Sequence, residues 1–472
     1  MIRRRRWTIL VLLTGLVGCA GYRIVRDGAV NQALVDRLET STEALRGLKF
    51  REPVGVRLYS KEQLVGFVEE TLDQDYSAQD LEGIERGLVR MGLIGPETHY
   101  FDLLKATLRD NAAGFYDPEV KEFRLIEDFS PGFAGSSLVS GLSFIAQRDY
   151  VGELIVVHEL THALQDQHFD LRKTLPRDLP KTDEDAYAAR KAIVESEANL
   201  VAYGHLYRVD LSETGRRGVL VEALGEGSGA AMDAVRAQTP GLPTFVVKEL
   251  VFQYFGALPL LHRAMARGGW PGVDALYADP PASTELLLHV ERYFAVHRDD
   301  PVAIGALRAD ADWLAGTKRL DSNVMGELGV RVMLEEFVDA ASAADAAAGW
   351  GGDRFDILEF PGPEGAHTAL LWRLAWDTAP DAEAFAGTYA RALLAKYPGR
   401  LRPEGVTGSG IQAWRIDPNG DTSTAAPGVI TRSEEVAAVE IRGTRVVVVE
   451  GVPPERWAAI VAGLWEGADP PH

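Results

Sequence analysis

The stretch that most constrains how this chain folds is Ile155–Leu164, which reads IVVHELTHAL. Three apolar residues lead into two histidines four positions apart, and positions i and i+4 share one face of an α-helix. His158 and His162 can therefore offer both imidazoles to one metal ion, and Glu159, one step round the helix, can take a proton from water held there. We predict a metal-binding helix over residues 151–167; the alternative is two surface histidines on a helix.

Length and composition narrow the class of protein. The chain has 472 residues, and the 46% that are hydrophobic exclude a mostly disordered protein. The formal net charge of -20 argues against nucleic acid as a partner, because phosphate binding needs a basic face. Cysteine occurs once, which excludes an internal disulfide and cysteine-rich zinc motifs. A metal site in this chain must therefore be built from imidazole and carboxylate groups.

The single cysteine, Cys19, follows a segment with the features of a secretion signal. Arg3–Arg6 precede an apolar run over residues 7–17, which is too short to span a membrane comfortably. The end of that run, Leu16-Val17-Gly18-Cys19, resembles the lipobox of bacterial lipoproteins, in which the signal is cut before the cysteine and the sulfur takes a diacylglyceryl group. The resemblance implies a signal peptide over residues 1–18 and a lipid anchor at Cys19. The alternative is an ordinary signal with an incidental cysteine.

The residue after the cysteine bears on which membrane would hold such an anchor. In lipoproteins the usual inner-membrane retention signal at this position is Asp, whereas this chain has Ala20. The resemblance therefore favours the outer membrane of a bacterial envelope, in either leaflet, and hence a location at the periplasm or the cell surface. Because the chain is acidic and is repelled by anionic membrane surfaces, the lipid itself would provide the attachment.

The spacing of apolar residues predicts an α+β chain that is mostly helical. Residues 27–48 read as a helix that is either a stalk or the first helix of a domain, and residues 113–127 read as a hairpin that turns at Asp-Pro. Helices predominate to about residue 318, after which helices and strands alternate. We predict a tether and first helix over 19–50, a metal-binding domain over 51–318 and a smaller α+β domain over 319–472.

Several motifs together resemble the secreted bacterial metallopeptidases of the gluzincin type, which are zinc enzymes. The active helix of that family reads like residues 157–167, Gly114-Phe115-Tyr116-Asp117-Pro118 precedes it, and Glu195-Ser196-Glu197-Ala198 follows it. The resemblance implies a zincin-like fold, with a small twisted sheet over the active helix and a helical second half that closes a cleft. It also implies that an edge strand, here near Gly114 to Tyr116, pairs with an extended peptide substrate.

A catalytic zinc needs a third protein ligand and keeps one position open. His168 lies six residues after His162 and so points away from the ligand face. A carboxylate from another helix is the remaining option. On the resemblance to gluzincins, Glu195 is that ligand and Glu197 is the alternative, and an ordinary solvated glutamate is the competing interpretation of Glu195.

Three further polar residues are candidates for supporting roles. Asn199 lies four residues after Glu195 and is predicted to hydrogen-bond a ligand histidine, a role for which Asp166 competes. Peptide hydrolysis also needs a donor for the developing oxyanion, and His289 is a candidate that competes with a buried structural role.

The leading hypothesis is therefore a lipid-anchored zinc metallopeptidase of the bacterial envelope. Glu159 would activate water, His158, His162 and Glu195 would hold Zn2+, and the partners would be a peptide or protein substrate and the membrane. The alternative is a non-proteolytic lipoprotein of zincin-like fold that binds partners or assists envelope assembly, with the C-terminal domain as its binding module.

Overall fold

The computed structural model describes residues 23–26, 28–127, 149–308, 310–362, 365–405, 410–418 and 433–466. Over these residues the chain is α+β, with helices dominating the first 300 residues and a β-rich C-terminal part. The predicted signal peptide and the predicted lipid attachment at Cys19 lie outside the described residues.

The helix-rich part contains short strands near its start and long helices after residue 149. Its elements are β1 (Val25–Arg26), β2 (Ala29–Val30), α1 (Gln32–Arg46), β3 (Gly55–Tyr59), α2 (Lys61–Asp75), α3 (Ala78–Met91), α4 (Tyr100–Asn111), β4 (Gly114–Asp117), β5 (Glu122–Ile126), α5 (Tyr150–Phe169), α6 (Leu171–Thr174), α7 (Leu179–Thr182), α8 (Glu184–Tyr207), α9 (Thr214–Gln238), α10 (Thr244–Phe255), α11 (Leu258–Gly268), α12 (Trp270–Ala278), α13 (Glu285–Leu288) and α14 (Val290–Tyr293).

Helices α5 and α8 form the centre of this part. They pack side by side, and α1, β4 and β5 cover other faces of α5. Val156, Val157, Leu160 and Leu164 of α5 are fully buried as a result. A helix that is covered on most sides is apolar on most sides, which accounts for the long apolar run around the histidines.

A three-stranded sheet lies against α5 in the order β3-β5-β4. Strands β3 and β5 are parallel, whereas β4 runs antiparallel to β5 and forms one edge of the sheet. The predicted hairpin over 113–127 is thus β4 and β5. Gly114 is required at the start of β4 because a Cβ there would lie 2.8 Å from the ring of Phe123.

The C-terminal part is built on an antiparallel sheet of seven described strands in the order β6-β7-β8-β12-β11-β10-β9. Its elements are β6 (Lys318–Asn323), α15 (Gly326–Glu335), α16 (Ala340–Ala347), β7 (Trp350–Phe360), β8 (His367–Trp376), α17 (Ala379–Lys396), β9 (Leu401–Gly405), β10 (Ile411–Ile416), β11 (Glu435–Arg442), β12 (Arg445–Val452) and α18 (Trp457–Glu466). Helices α15 to α17 cover one face and α18 covers the other. Trp350 and Trp372 are core residues whose indole N–H groups donate to Asp353 at 3.0 and 2.7 Å.

The predicted boundary at residue 318 does not separate the packing of the two parts. Helix α3 comes early in the sequence but packs on the C-terminal sheet, where Arg90 pairs with the buried Glu435 at 2.9 Å. The approach is close enough that a Cβ on Gly83 would lie 2.3 Å from the backbone oxygen of Leu320. One of the helices that pack against the C-terminal sheet therefore lies some 230 residues before the sheet in the chain.

Among the described residues, one helical segment, Thr244–Gly268, is long and apolar enough to cross a membrane by length and composition alone. It comprises α10 and α11, which pack against α8 and α9. Core helices of soluble proteins meet the same criteria, so this segment is weak evidence for a membrane span.

Candidate metal centre

Helix α5 brings the two predicted ligand histidines together. Asp149 caps the start of the helix, and its side chain accepts from the backbone N–H of Gly152 at 3.0 Å. The His158 and His162 rings stand perpendicular with centroids 4.6 Å apart, and their Nε2 atoms are separated by 3.0 Å. The spacing in the sequence thus gives the geometry expected of positions i and i+4 on one helix face.

Glu195 on α8 completes a triad of potential ligands. Its Oε2 lies 3.2 Å from Nε2 of His158 and 3.5 Å from Nε2 of His162. With zinc–ligand bonds of 2.0–2.2 Å, two ligand atoms of a tetrahedral site are about 3.4 Å apart, so the three atoms have the spacing of one tetrahedral face. The three side chains keep 10–15% of their surface exposed, which leaves one side of the triad accessible.

The electrostatics of the triad are those of closely coupled groups. Burial opposes charge on Glu195, but the imidazoles of His162 and His158 outweigh it and hold the pKa of Glu195 well below its usual range. Burial likewise opposes a proton on His162, but the Glu195 carboxylate raises the pKa of His162 to about 9. A metal ion held by these three groups would have to displace a proton from this pair, and its affinity would fall as the pH is lowered.

Glu197, the alternative ligand, lies on the far side of α8. Its carboxylate pairs with Arg46 and accepts from the Tyr277 hydroxyl at 2.6 Å, with Arg46 and Glu197 fully buried. Ser196, between the two glutamates, accepts from the backbone N–H of Ala257 at 3.2 Å, so the serine joins α8 to the start of α11. Glu195 is therefore the carboxylate that faces the histidines.

Gln165 holds one of the triad histidines in place. The sequence did not indicate this role for Gln165. Its Nε2 donates to the backbone oxygen of Val194 at 2.9 Å, so its Oε1 faces His162 and accepts from Nδ1–H at 2.8 Å. That bond places the proton of the neutral imidazole on Nδ1 and leaves the Nε2 lone pair of His162 toward Glu195. The signal in the sequence was a polar residue one turn after a ligand histidine.

The structure does not bring the two residues predicted for this supporting role to a ligand histidine. Asn199 donates to the backbone oxygen of Tyr254 at 2.9 Å, which anchors the end of α10. Asp166 accepts from the Tyr116 hydroxyl at 3.0 Å and from the backbone N–H of Leu171. Each residue lies one helical turn from a candidate ligand, as its spacing predicts, but its side chain points toward a different neighbouring element.

Replacing Gln165 by Ala should weaken zinc binding by about 10–100-fold, because the orientation of His162 is then no longer fixed. Competition with a chromogenic chelator measures the affinity. Gln167→Ala is the matched control, since Gln167 is on the same helix but bonds to Arg51 and Glu52 and not to a ligand. Equal affinities of the two variants would contradict the role of Gln165.

Glu159 is buried beside the triad and contacts the edge strand. Burial raises its pKa and Glu195 adds to the effect, while the two imidazoles and a hydrogen bond from the backbone N–H of Tyr116 act against it. The register of β4 explains this bond. Ile126 N–H donates to Ala113 C=O, so alternate residues pair with β5, while Gly114 and Tyr116 turn their backbone groups to the edge of β4 with which no other described strand pairs.

Tyr254 is a second neighbour of the triad that the sequence did not single out. Its ring centroid lies 6.0 Å from that of His158. The nearby Glu195 carboxylate, burial and Glu159 together raise the pKa of Tyr254 well above its usual value, so the hydroxyl remains a hydrogen-bond donor. Tyr254 lies 59 residues from Glu195 in the chain, and no local pattern connects the two.

The structure does not bring His289, the predicted oxyanion donor, into the triad. Its Nε2 lies 2.9 Å from Oε1 of Glu327. The loop before it is held at the start of α8, where Thr284 N–H donates to Asp185 at 3.1 Å. Asp185 is ten residues, or about 15 Å of helix, before Glu195.

A second group of three carboxylates is paired with the guanidinium of an arginine, Arg292. Glu285, Asp299 and Asp377 are close enough together to suggest a metal site. However, Nη1 of Arg292 lies 2.9 Å from Asp299 and 2.7 Å from Asp377, and it also contacts Glu285. This group is an ion-pair network that joins the end of the helix-rich part to β8.

A cleft of about 440 Å³ opens beside the triad, with His162 and Glu195 in its wall. Helix α2 and the turn after β4 form two of its sides, and the chain from Leu171 to Arg177 forms another. A cleft of this size next to a ligand triad is what a small-molecule or peptide site requires.

Comparison with known proteins bears on the C-terminal part alone. Residues 315–461 match a domain of unknown function, DUF8575. No curated protein and no solved structure matches the chain. The match runs from just before β6 into α18, and the metal centre lies outside it.

Proposed function

We propose that this chain is a zinc-dependent peptidase of the gluzincin type, with a zincin-like domain over residues 51–318. The convergence of the His158, His162 and Glu195 ligand atoms, 3.0 to 3.5 Å apart, carries the proposal. The antiparallel edge strand β4 beside the ligand helix supports it, because an open edge next to a metal site suits an extended peptide.

The donor set fits zinc. Two imidazoles and one carboxylate are the ligands of many catalytic zinc sites, and the exposed side of the triad leaves room for a fourth position. With zinc bound there, the site would supply Lewis-acid polarisation of the scissile carbonyl and of the attacking water.

The residues around the triad would divide the remaining work. Glu159 would accept the proton of the attacking water on its carboxylate and pass it to the leaving amine. The backbone groups of Gly114 and the carbonyl of Tyr116 would pair with the peptide and hold it extended across the site, while the Tyr116 N–H stays bonded to Glu159. The Tyr254 hydroxyl would donate to the developing oxyanion.

The proposal includes attachment of the protein to a bacterial envelope membrane through Cys19. Its support is the sequence of the amino-terminal segment, in which a basic start and a short apolar run lead to Leu16-Val17-Gly18-Cys19. A lipid on one residue anchors a chain without a spanning helix.

Metal analysis of the purified full chain combined with a peptide-library digest tests the function. We expect about one zinc per chain and cleavage that a chelator abolishes and added zinc restores. One zinc per chain with no cleavage of any sequence would instead favour a non-proteolytic binding protein. Absence of bound zinc after dialysis against a zinc buffer would contradict both.

A further inference from the structure

The cleft beside the triad has an uneven balance of charge. Besides Glu195 of the triad, four carboxylates line it, from Glu70, Asp75, Asp117 and Glu119, together with two guanidinium groups from Arg172 and Arg177. Lys191, four residues before Glu195 on α8, does not line it. A charge in the cleft is available to a substrate only where it is not already paired within the protein.

Three of the four carboxylates have a cationic partner. Asp75 pairs with Arg177 at 2.8 Å. Asp117 pairs with Arg124 at 2.9 Å, and the Arg124 guanidinium is itself enclosed by aromatic rings, with the Tyr59 centroid 4.8 Å away. Glu119 has a longer pair with Arg172, at 3.8 Å.

Glu70 is the exception. It is exposed at the rim of the cleft, and among the described residues it has no cation within ion-pair distance. Of the other residues of α2 that line the cleft, Phe67, Thr71 and Gln74 are neutral, and Asp75 is paired with Arg177. The rim therefore carries one uncompensated negative charge.

The walls below the rim are largely apolar. Phe67, Leu171, Leu175 and Val194 contribute to them, and Tyr116 and Tyr187 add two rings. A long side chain with an apolar stem and a cationic end matches this arrangement, because the stem packs on the walls while the charge reaches the solvated rim.

We propose that the cleft binds a lysine or arginine side chain of the peptide, with Glu70 as the specificity-determining residue. This inference rests on the proposed peptidase function. A large apolar side chain would fill the same walls but would leave Glu70 without a partner. The preference that Glu70 adds is that of a solvent-exposed ion pair, which is about three- to fivefold.

The test compares cleavage of matched library peptides that carry lysine or norleucine at each position near the scissile bond. Norleucine keeps the apolar stem and lacks the ammonium group. We expect the wild-type chain to prefer lysine at one position by about three- to fivefold, and Glu70→Gln to abolish that preference. Asp73→Asn is the matched control, because Asp73 is an exposed acid on the same helix that does not line the cleft.

The outcomes separate this inference from the function on which it rests. Cleavage without a lysine preference, or a preference that both variants reduce equally, would overturn the role of Glu70 and leave the peptidase intact. If no peptide is cleaved, titration of the zinc-loaded chain with lysine hydroxamate and norleucine hydroxamate decides. Tighter binding of lysine hydroxamate that Glu70→Gln removes would support the cleft as a basic subsite, whereas equal or absent binding of both would overturn it.

Discussion

Replacing Glu159 by Gln should lower kcat/KM for peptide cleavage by about 10²–10⁴-fold while zinc remains bound at about one ion per chain. Gln has the shape of Glu but cannot accept the proton of the attacking water. Its amide oxygen can still accept the hydrogen bond that the Tyr116 backbone donates to Glu159, so the strand should keep its place. Because Glu159 lies outside the ligand triad, metal binding should survive the substitution. Initial rates with a quenched fluorescent peptide and atomic absorption of the dialysed protein measure the two quantities.

The control for this variant is the same substitution at an exposed glutamate. Glu222 lies on the outer face of α9, away from the residues that line the cleft, so Glu222→Gln should leave both rate and zinc content unchanged. A Glu159→Gln protein that binds zinc and cleaves at the wild-type rate would refute Glu159 as the base. Loss of zinc together with activity would instead assign Glu159 a role in building the metal centre.

The ligand helix could be predicted from the sequence because its geometry is local. His158 and His162 lie four residues apart, and helix geometry alone brings them to one face. Glu195 lies 33 residues after His162, and helix spacing alone could not choose between it and Glu197. Glu197 pairs with Arg46, which lies 151 residues away in the chain. This pairing leaves Glu195 as the carboxylate that faces the histidines.

The groups around the triad were harder to predict, because their contacts also depend on residues that are distant in the chain. Asn199 and Asp166 were plausible supports because each lies four residues from a ligand, yet α10 and β4 hold them instead. Gln165, one turn after His162, occupies the role. Spacing along a helix gives the position of a side chain along the helix axis and the face on which it lies. The neighbouring element decides which group the side chain contacts.

In the C-terminal part, apolar strands carry a clear signal in the sequence and polar edge strands do not. The strands of the β11–β12 hairpin are rich in valine on both sides of Arg442-Gly443, a pattern that is typical of strands joined by a short turn. Strand β6 reads Lys-Arg-Leu-Asp-Ser-Asn and lies at one edge of the sheet. An edge strand has one solvated side and needs few apolar residues, so its sequence carries little signal.

Helix α1, which the sequence left open as either a stalk or a domain helix, is part of the helix-rich core. Its Leu34, Leu38, Thr42 and Arg46 repeat every four residues and are all buried. Arg46 is the last of this stripe. Its guanidinium lies over the Trp270 ring, 4.4 Å from the centroid, and pairs with Asp274 at 2.6 Å as well as with Glu197.

Replacing Arg46 by Met should lower the free energy of unfolding by about 3–5 kcal/mol. Methionine fills much of the same space, but it leaves the fully buried Glu197 carboxylate without its cation. The cost of an uncompensated buried charge exceeds what the pair itself contributes, because the charge has lost its water as well as its partner. Urea denaturation followed by circular dichroism measures the change.

The double variant Arg46→Met/Glu197→Gln separates charge from packing. If the unpaired charge is the cause, the double variant should recover part of the stability that Arg46→Met loses, since no buried charge remains. A loss under 1 kcal/mol for Arg46→Met, or a double variant less stable than Arg46→Met, would contradict this account. The network also lies beside the candidate metal centre: Tyr277 donates to Glu197, and the side chain of Gln165, which orients His162, is close enough to oppose the rise that burial causes in the pKa of Tyr277. Arg46→Met should therefore weaken zinc binding even under conditions in which the variant is fully folded, which a stalk helix could not cause.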